Sequence, residues 1–80
     1  MLNQIVLMGR LTADPDARKT PSDISVTRFT LAVERDFKDR DGNKQTDFLD
    51  VVAWRSTADF VGKYITKGQL ICVNGSVQTS

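Results

Sequence analysis

The chain has 80 residues, one cysteine and no histidine, which limits it to one small domain with no internal disulfide and no cysteine–histidine metal or catalytic site. Eleven Lys and Arg residues against ten Asp and Glu residues give a formal net charge of +1, so the chain is not of the strongly basic class that grips duplex DNA by charge. No apolar run reaches the length of a membrane span, and a cytoplasmic, reducing location is expected.

The first half of the chain is predicted to form two main strands separated by turns. Ile5–Leu11 is rich in apolar and branched residues and ends at a turn signal in residues 12–15. Residues 18–20 are a candidate short extended segment. Residues 24–35 form the second strand, in which the apolar residues change from even to odd positions. That change predicts a β-bulge near residues 27–28, which would bend the strand as a small barrel requires.

The second half is predicted to contain a hairpin, a third strand, a helix and a fourth strand. The hairpin falls in residues 36–44, which include an Asp-Gly turn signal, and the third strand in residues 46–56. The hydroxyl of Ser56, three residues before an acid, resembles a helix N-cap. The apolar spacing that follows predicts a helix of about three turns that ends near Gly68. Residues 69–79 then form the fourth strand.

This order, β-β-β-α-β, predicts an all-β fold with one helix. A bent, five-stranded Greek-key barrel with a helix after its third strand is the oligonucleotide/oligosaccharide-binding fold, or OB-fold. Residues 1–80 are therefore expected to be a single OB-fold domain that is incomplete at its C-terminus, because the fifth strand is missing. The fourth strand would be left with an unpaired edge.

The third strand places large aromatic residues on the face that the core does not need. Alternation points Phe48 and Trp54 away from the apolar side of the strand, and Phe37 lies at the hairpin. Aromatic rings stack on single-stranded bases at roughly 1–3 kcal/mol per base. The residue pattern also allows the alternative that these aromatics pack within the sheet. Phe29 and Phe60 are assigned to the core, and Tyr64 to packing.

Basic residues flank these aromatics and are candidates for contacts with phosphates. They lie on the second strand, around the hairpin and next to Trp54: Arg28, Arg35, Lys38, Arg40, Lys44 and Arg55. No catalytic base, nucleophile pair or set of metal ligands is identified, so no enzyme activity, cofactor or metal is expected.

Five motifs resemble the bacterial single-stranded DNA-binding proteins and together cover almost the whole chain. They are MLNQIVLMGRLT at the start, FTLAV at 29–33, DFLDVVAW at 47–54, YITKG at 64–68 and VNGSVQT at 73–79. The resemblance implies an OB-fold protomer, usually of a homotetramer, that coats single-stranded DNA without sequence preference. It implies roles in DNA replication, recombination and repair, and a cytoplasmic location associated with the nucleoid.

The resemblance also implies which residues contact the DNA. It places Phe37, Phe48 and Trp54 where the family has base-stacking aromatics, and Arg35 and Lys67 along the path of the strand. Together with the basic residues that flank the aromatics, the expected phosphate contacts are Arg28, Arg35, Lys38, Arg55 and Lys67.

Members of that family continue beyond the point at which this sequence stops. They add a hairpin loop, a fifth strand and a disordered linker with an acidic tip that recruits replication and repair enzymes. We therefore expect this sequence to be part of a longer protein, whose protein partners depend on a tail absent from it. Two alternatives remain: a primosomal replication protein type, which is a short relative without the acidic tail, and an OB-fold module that only oligomerises.

Overall fold

The computed structural model describes residues 2–78, apart from the side chain of Phe37. Over that range the chain forms five strands and one helix: β1 Ile5–Leu11, β2 Asp16–Lys19, β3 Ser25–Lys38, β4 Lys44–Trp54, α1 Arg55–Tyr64 and β5 Leu70–Gly75. The prediction of an all-β fold with one helix is confirmed. The order is β-β-β-β-α-β because the segment predicted only as extended, at residues 18–20, overlaps a strand of its own at residues 16–19.

All strand pairs are antiparallel, and β3 is at the centre of the sheet. One edge of β3 pairs with β4 from Val26 to Lys38. The other edge pairs first with β2 and then, at Leu31 and Ala32, with β1, whose far edge pairs with β5. Within residues 2–78, β4 and β5 do not pair with each other, so the sheet is open between them. A five-stranded antiparallel sheet with one helix is consistent with an OB-fold.

The core lies between one face of the sheet and α1. Odd-numbered residues of β3 and β4 point toward it, and Leu31 is fully buried. Phe29 is buried as predicted. α1 packs against β2, β3 and β4. The buried apolar residues within the described range are Leu11, Phe29, Leu31, Ala53, Ala58, Val61 and Ile65.

The predicted β-bulge near residues 27–28 is wrong. β3 pairs with β4 residue for residue through this segment, and the irregular register lies between Glu34 and Lys38, close to the hairpin. The apparent phase change arises because a polar residue, Thr27, occupies an inward position. Thr27 is buried, and its hydroxyl donates a hydrogen bond of 2.8 Å to the carbonyl oxygen of Ala58 on α1. Because its hydroxyl has a hydrogen-bond acceptor on α1, Thr27 can occupy an inward position among the apolar residues of β3.

α1 begins and ends at different residues from those predicted. Its N-cap is Trp54, whose side chain makes no capping bond, and helix begins at Arg55, so the cap predicted at Ser56 is wrong. The helix ends at Tyr64, and Gly68, with φ of 83°, lies in the turn beyond it. With ten residues, α1 is too short to cross a membrane, and no other helix occurs within residues 2–78.

The prediction that Phe60 belongs to the core is also wrong. Ala58 and Val61 face the sheet, whereas Phe60 and Tyr64 point away from it and are 56% and 59% exposed. The two rings contact each other, with centroids 5.3 Å apart and an interplanar angle of 49°. The helical spacing of apolar residues does not distinguish those that face the core, such as Val61, from Phe60, which precedes it and faces solvent.

β5 is shorter than the predicted fourth strand. It ends at Gly75, and Thr79, the predicted end, lies outside the described residues. Val77 is exposed, and its backbone is held by Asn3: the Val77 N–H donates to Asn3 Oδ1 at 3.0 Å, and Asn3 Nδ2 donates to the Val77 carbonyl at 2.8 Å. These bonds tie the segment after β5 to the start of the chain.

Two glycines allow close approach between elements. A Cβ at Gly9 of β1 would overlap the carbonyl oxygen of Ala32 on β3. A Cβ at Gly62 of α1 would lie 2.9 Å from the Cβ of Ala17 on β2. Both positions therefore require glycine for lack of space.

Candidate nucleic-acid interface

The alternation of β4 separates the core from an exposed row of side chains. Val51 and Ala53 lie on the core side, as predicted. The outward row contains Phe48, which is 67% exposed, and Trp54, which is 52% exposed. More than half of each residue is open to solvent, so packing inside the chain does not account for either ring. They are six positions apart in sequence, which is roughly 20 Å along a strand.

β3 contributes the neighbouring row of the same face. Cross-strand pairing places Ala32 beside Phe48, and alanine is too small to cover the aromatic ring. The exposed Arg28 falls between the two aromatic positions. The hydroxyl of Thr30 donates to Oδ1 of Asp50 at 3.0 Å. Between the two aromatic positions, β3 and β4 thus present one cation and one carboxylate on this face, and the carboxylate already has a partner.

A groove of about 340 Å³ lies on this face, between the loop after β1 and the middle of β3 and β4. Its lining includes Asp14, Arg28, Thr30 and Asp50. The two carboxylates make the groove mixed in charge, so attraction for a phosphate there depends on Arg28.

Arg35 of β3 forms an ion pair with Asp47 of β4 on the opposite face of the sheet from Phe48. Its Nε and Nη2 atoms donate to the two carboxylate oxygens of Asp47, both at 3.0 Å. The hydrogen bonding and charge of this pair lower the pKa of Asp47 and raise the pKa of Arg35. Asp47 is adjacent to Phe48 in sequence, so its side chain leaves the strand on the opposite face. A phosphate that contacts Arg35 has to displace Asp47.

Two further candidates belong to the hairpin segment at the end of β3. The side chain of Phe37, the third predicted stacking residue, lies outside the described residues, although its backbone is part of β3. Lys38 is exposed and pairs across the hairpin with Lys44. The ammonium group of Lys44 contacts Oε2 of Glu34 at 3.3 Å.

The hairpin turn is held by Asp39. Its Oδ1 accepts hydrogen bonds from the backbone N–H groups of Asn43 at 2.9 Å and Asp41 at 3.0 Å, and its Oδ2 accepts one from Gln45 Nε2 at 3.1 Å. The pKa of Asp39 is lowered, chiefly by the hydrogen bond from Asn43. The charged carboxylate therefore fixes the turn that joins β3 to β4.

Arg55 and Lys67 lie at the two ends of the helical segment. Arg55 follows Trp54 directly, is exposed, and starts α1 with a left-handed φ of 58°. Lys67 is also exposed, and its backbone N–H donates to Oδ1 of Asp14 at 2.8 Å. Since Asp14 lines the groove, this bond brings Lys67 to the edge of the groove.

Arg10 is a candidate contact that the sequence analysis missed. It is exposed on β1 beside Ala32, in the cross-strand row that continues to Phe48. With strands about 4.8 Å apart, the backbones of Arg10 and Phe48 are about 10 Å apart. Its Nη1 donates to the carbonyl oxygen of Gly68 at 3.0 Å. The alternation of residues along β1 indicates which face carries Arg10, but the sequence does not show that β1 lies next to β3.

Three predicted site residues share the open face: Phe48, Trp54 and Arg28. Two more, Arg55 and Lys67, lie at its borders. Separated exposed rings with cations between and around them are typical of surfaces that bind single-stranded nucleic acid.

A family profile and three proteins similar to this chain carry the same description. The profile of the Single-strand binding protein family matches residues 2–80. Single-stranded DNA-binding protein 1 of Streptococcus pyogenes is 48% identical over 99% of this chain and 61% of its own length. The single-stranded DNA-binding protein of Halalkalibacterium halodurans is 48% identical over 99% of this chain and 47% of its own length. Single-stranded DNA-binding protein 2 of Listeria monocytogenes is 47% identical, with 99% and 49% covered.

These relatives are named as DNA-binding proteins and not as enzymes. The chain spans about half the length of the curated relatives it matches. The match of the family profile to nearly the whole chain nevertheless shows the family to which it belongs. The chain belongs to the single-strand binding protein family.

Proposed function

We propose that this chain binds single-stranded DNA without sequence preference, by stacking bases on Phe48 and Trp54. The observation that carries the proposal is the outward row of β4, where both aromatic residues are more than half exposed on one open face. Every base has a π-face, so stacking does not depend on base identity. The names of the relatives support DNA as the nucleic acid.

The phosphates of the strand would be contacted by basic residues on and around the same face. Arg28 lies within the row, and Lys38, Arg55 and Lys67 lie at its borders. Arg35 would join them by exchanging Asp47 for a phosphate. With a net charge of only +1, the affinity has to come from stacking together with these local contacts. Phe37 is proposed as a third stacking residue at the hairpin, by resemblance to the family.

The first test is a titration with oligo-dT monitored by tryptophan fluorescence. Trp54 is the single tryptophan of the chain, so its emission reports the proposed face directly. We expect saturable quenching that is reversed by salt, with a slope of roughly −0.7 per phosphate contacted in log K against log salt. A folded sample without quenching would contradict stacking at Trp54, and a flat response to salt would contradict the phosphate contacts.

Variants at position 54 separate stacking from packing. Trp54→Ala should weaken binding by about 1–3 kcal/mol, measured by anisotropy of a labelled oligonucleotide. Trp54→Phe is the matched control, because it keeps a ring and should keep most of the affinity. The melting temperature should change little in either variant, since Trp54 is half exposed. A loss of stability as large as the loss of binding would show that the ring packs instead.

We also propose that the chain self-associates, with a homotetramer as the expected state. Val6 and Met8 on β1 are each 61% exposed, and Leu70 on the adjoining β5 is 52% exposed. Such apolar side chains on the outward side of a small domain favour burial against another copy. Sedimentation velocity tests this, and Met8→Glu should shift the distribution toward monomer. A monomer at all concentrations would exclude the proposal.

The same observation supports the second candidate, an OB-fold module that only oligomerises. The two functions are separated by combining the measurements: oligomers that neither quench Trp54 nor bind oligo-dT would indicate the assembly module. A primosomal replication protein type remains the nearest alternative that binds DNA.

In the cell, we propose that the protein protects exposed DNA strands during replication, recombination and repair, in the cytoplasm and at the nucleoid. Resemblance to the family supports these roles. Recruitment of replication and repair enzymes by an acidic tail would belong to the further length that the relatives have. Nuclease digestion of single-stranded DNA should slow in the presence of the chain, and unchanged digestion at saturating protein would contradict protection.

A further inference from the structure

Asp50 places a negative charge in the middle of the proposed path of the DNA strand. It is exposed on the outward row of β4, two residues after Phe48 and four before Trp54. At about 3.4 Å per residue, the Cα of Asp50 lies roughly 7 Å from that of Phe48 and roughly 14 Å from that of Trp54. A strand that stacks on both rings therefore passes over this carboxylate. Because the carboxylate repels phosphates, the part of the strand that suits this position is the edge of a base.

The carboxylate of Asp50 is oriented by β3. Thr30 lies opposite Asp50 in the register of the two strands, and its hydroxyl donates to Oδ1 of Asp50 at 3.0 Å. The carbonyl oxygen of Thr30 in turn accepts a hydrogen bond of 3.0 Å from the N–H of Thr12. Thr30 is thus tied to the backbone that follows β1, and its hydroxyl favours one orientation of the carboxylate.

The second oxygen of Asp50 is available to a ligand. Among residues 2–78, Oδ2 of Asp50 accepts no hydrogen bond from the protein, and Asp50 takes part in none of the ion pairs found there. Arg28 is in none of those ion pairs either. Both side chains line the groove of about 340 Å³ on the open face. The groove therefore offers a strand one hydrogen-bond acceptor and one cation.

The four bases differ in what they can offer to this acceptor. A carboxylate only accepts hydrogen bonds, so it favours a base that has an exocyclic amino group. Acidic side chains accept from the N4 amino group of cytosine in this way, and adenine and guanine carry amino groups as well. Thymine carries none, and its single ring N–H lies between two carbonyl oxygens, which repel the carboxylate.

We propose that Asp50 contacts the edge of the base that lies between Phe48 and Trp54, and that it favours bases with an amino group over thymine. This inference rests on the proposed function. It adds a graded base preference to binding that stacking alone leaves independent of base identity. Thr30 is the positioning residue for Asp50, and Arg28 contacts a phosphate in the same groove.

Oligo-dC and oligo-deoxyuridine of about 15 nucleotides, near the upper end of the site size of one OB-fold, are a matched pair of probes. Uracil has the hydrogen-bonding edge of thymine without its methyl group, and it presents a carbonyl oxygen where cytosine presents its amino group. Anisotropy gives the two dissociation constants for the wild type and for Asp50→Asn. An amide both donates and accepts, so the variant should not distinguish the bases by this contact. The preference for oligo-dC should be about fivefold greater in the wild type, as expected for one hydrogen bond.

Two controls separate base recognition from charge. Asp59→Asn removes the same charge from an exposed position of α1, on the core side of the sheet, and should keep the wild-type preference. The other control leaves the protein unchanged: N4,N4-dimethylcytosine keeps the ring but has no amino hydrogens, so an oligonucleotide of it should lose the preference. Circular dichroism verifies that each variant is folded.

Failure of this inference differs from failure of the proposed function. If Asp50→Asn binds both oligonucleotides more tightly by the same factor, Asp50 acts on phosphates by charge alone, base recognition is refuted and the β4 site remains. A preference that Asp50→Asn leaves unchanged refutes it as well. If the wild type binds none of the oligonucleotides, both proposals are refuted. Should Asp50→Asn not fold, the dimethylated oligonucleotide decides the case, since binding equal to that of oligo-dC would refute the contact.

Discussion

Replacing Gly9 with alanine would force a methyl group into β3. The added Cβ would overlap the carbonyl oxygen of Ala32 and lie 3.0 Å from its carbonyl carbon and 3.1 Å from Cγ of Leu31. The obstructing atoms belong mainly to the backbone of a paired strand, so they cannot rotate aside. β1 therefore has to move away from β3 at the point where the two strands pair.

The expected loss of stability can be estimated from three contributions. Overpacking of this kind costs about 1–3 kcal/mol. Displacement of β1 weakens the hydrogen bond of 3.0 Å from the Thr12 N–H to the Thr30 carbonyl, which is worth about 1 kcal/mol. Alanine offsets about 0.5–1 kcal/mol of this by reducing the entropy of the unfolded chain. The net loss is about 2 kcal/mol, which lowers the melting temperature of a domain of this size by about 8–16 °C.

Thermal unfolding followed by far-UV circular dichroism measures this loss, at one protein concentration because self-association would raise the melting temperature. Gly75→Ala is the matched control, since it makes the same change within β5 at a position with no atom within 4 Å of the new Cβ. The control should melt at or slightly above the temperature of the wild type. If Gly9→Ala melts together with the control, the close approach of β1 and β3 does not constrain the fold, and the reasoning is refuted.

Three other changes test separate parts of the molecule. Thr27→Val removes the buried hydroxyl that bonds to α1 and should reduce the free energy of unfolding by about 0.5–1.5 kcal/mol in urea titrations; equal stability would show that the bond contributes nothing net. The pKa of Asp39 is lowered, chiefly by the Asn43 N–H, so its contribution to stability is complete above about pH 4 and is lost as the pH falls below that value. Asp39→Asn should therefore melt below the wild type at neutral pH, with the difference closing in acid, and a difference independent of pH would argue against this assignment. Asp47→Asn removes the group that competes with a phosphate for Arg35 and should tighten DNA binding with little change in the salt slope, because Arg35 contacts the phosphate in both proteins; an unchanged affinity would mean that Arg35 does not reach a phosphate.

The strands and the faces of β4 could be predicted because their signal is local. Ile5–Leu11 was predicted with the bounds that the structure shows. The outward position of Phe48 and Trp54 follows from a period of two over an unbroken strand, which depends on no other part of the chain. The same parity argument failed at Thr27, because its partner on α1 is 31 residues away in sequence.

The remaining errors have the same origin in tertiary contacts. Phe60 has helical spacing, yet which side of α1 meets the sheet is set by the fit of Ala58 and Val61 against it. Arg10 joins the site only because β1 pairs with β3. Arg35 was predicted as a phosphate contact from its position in sequence, and its ion pair with Asp47 depends on the register of β3 with β4. The alternation of residues along a strand therefore predicts which side chains share a face. Which residues of other strands lie beside them depends on how the strands pair.

The alternation of β4 has a consequence for how this sequence can diverge. One row of the strand builds the core and the other presents Phe48 and Trp54 to solvent. Each row can vary by substitution without affecting the other, but inserting or deleting one residue would exchange them, turning the aromatics inward and the aliphatic side chains outward. Changes in length that survive in homologous proteins are thus expected in the turn at residues 39–43 and not in β4. We therefore expect β4 to tolerate substitutions more readily than insertions or deletions.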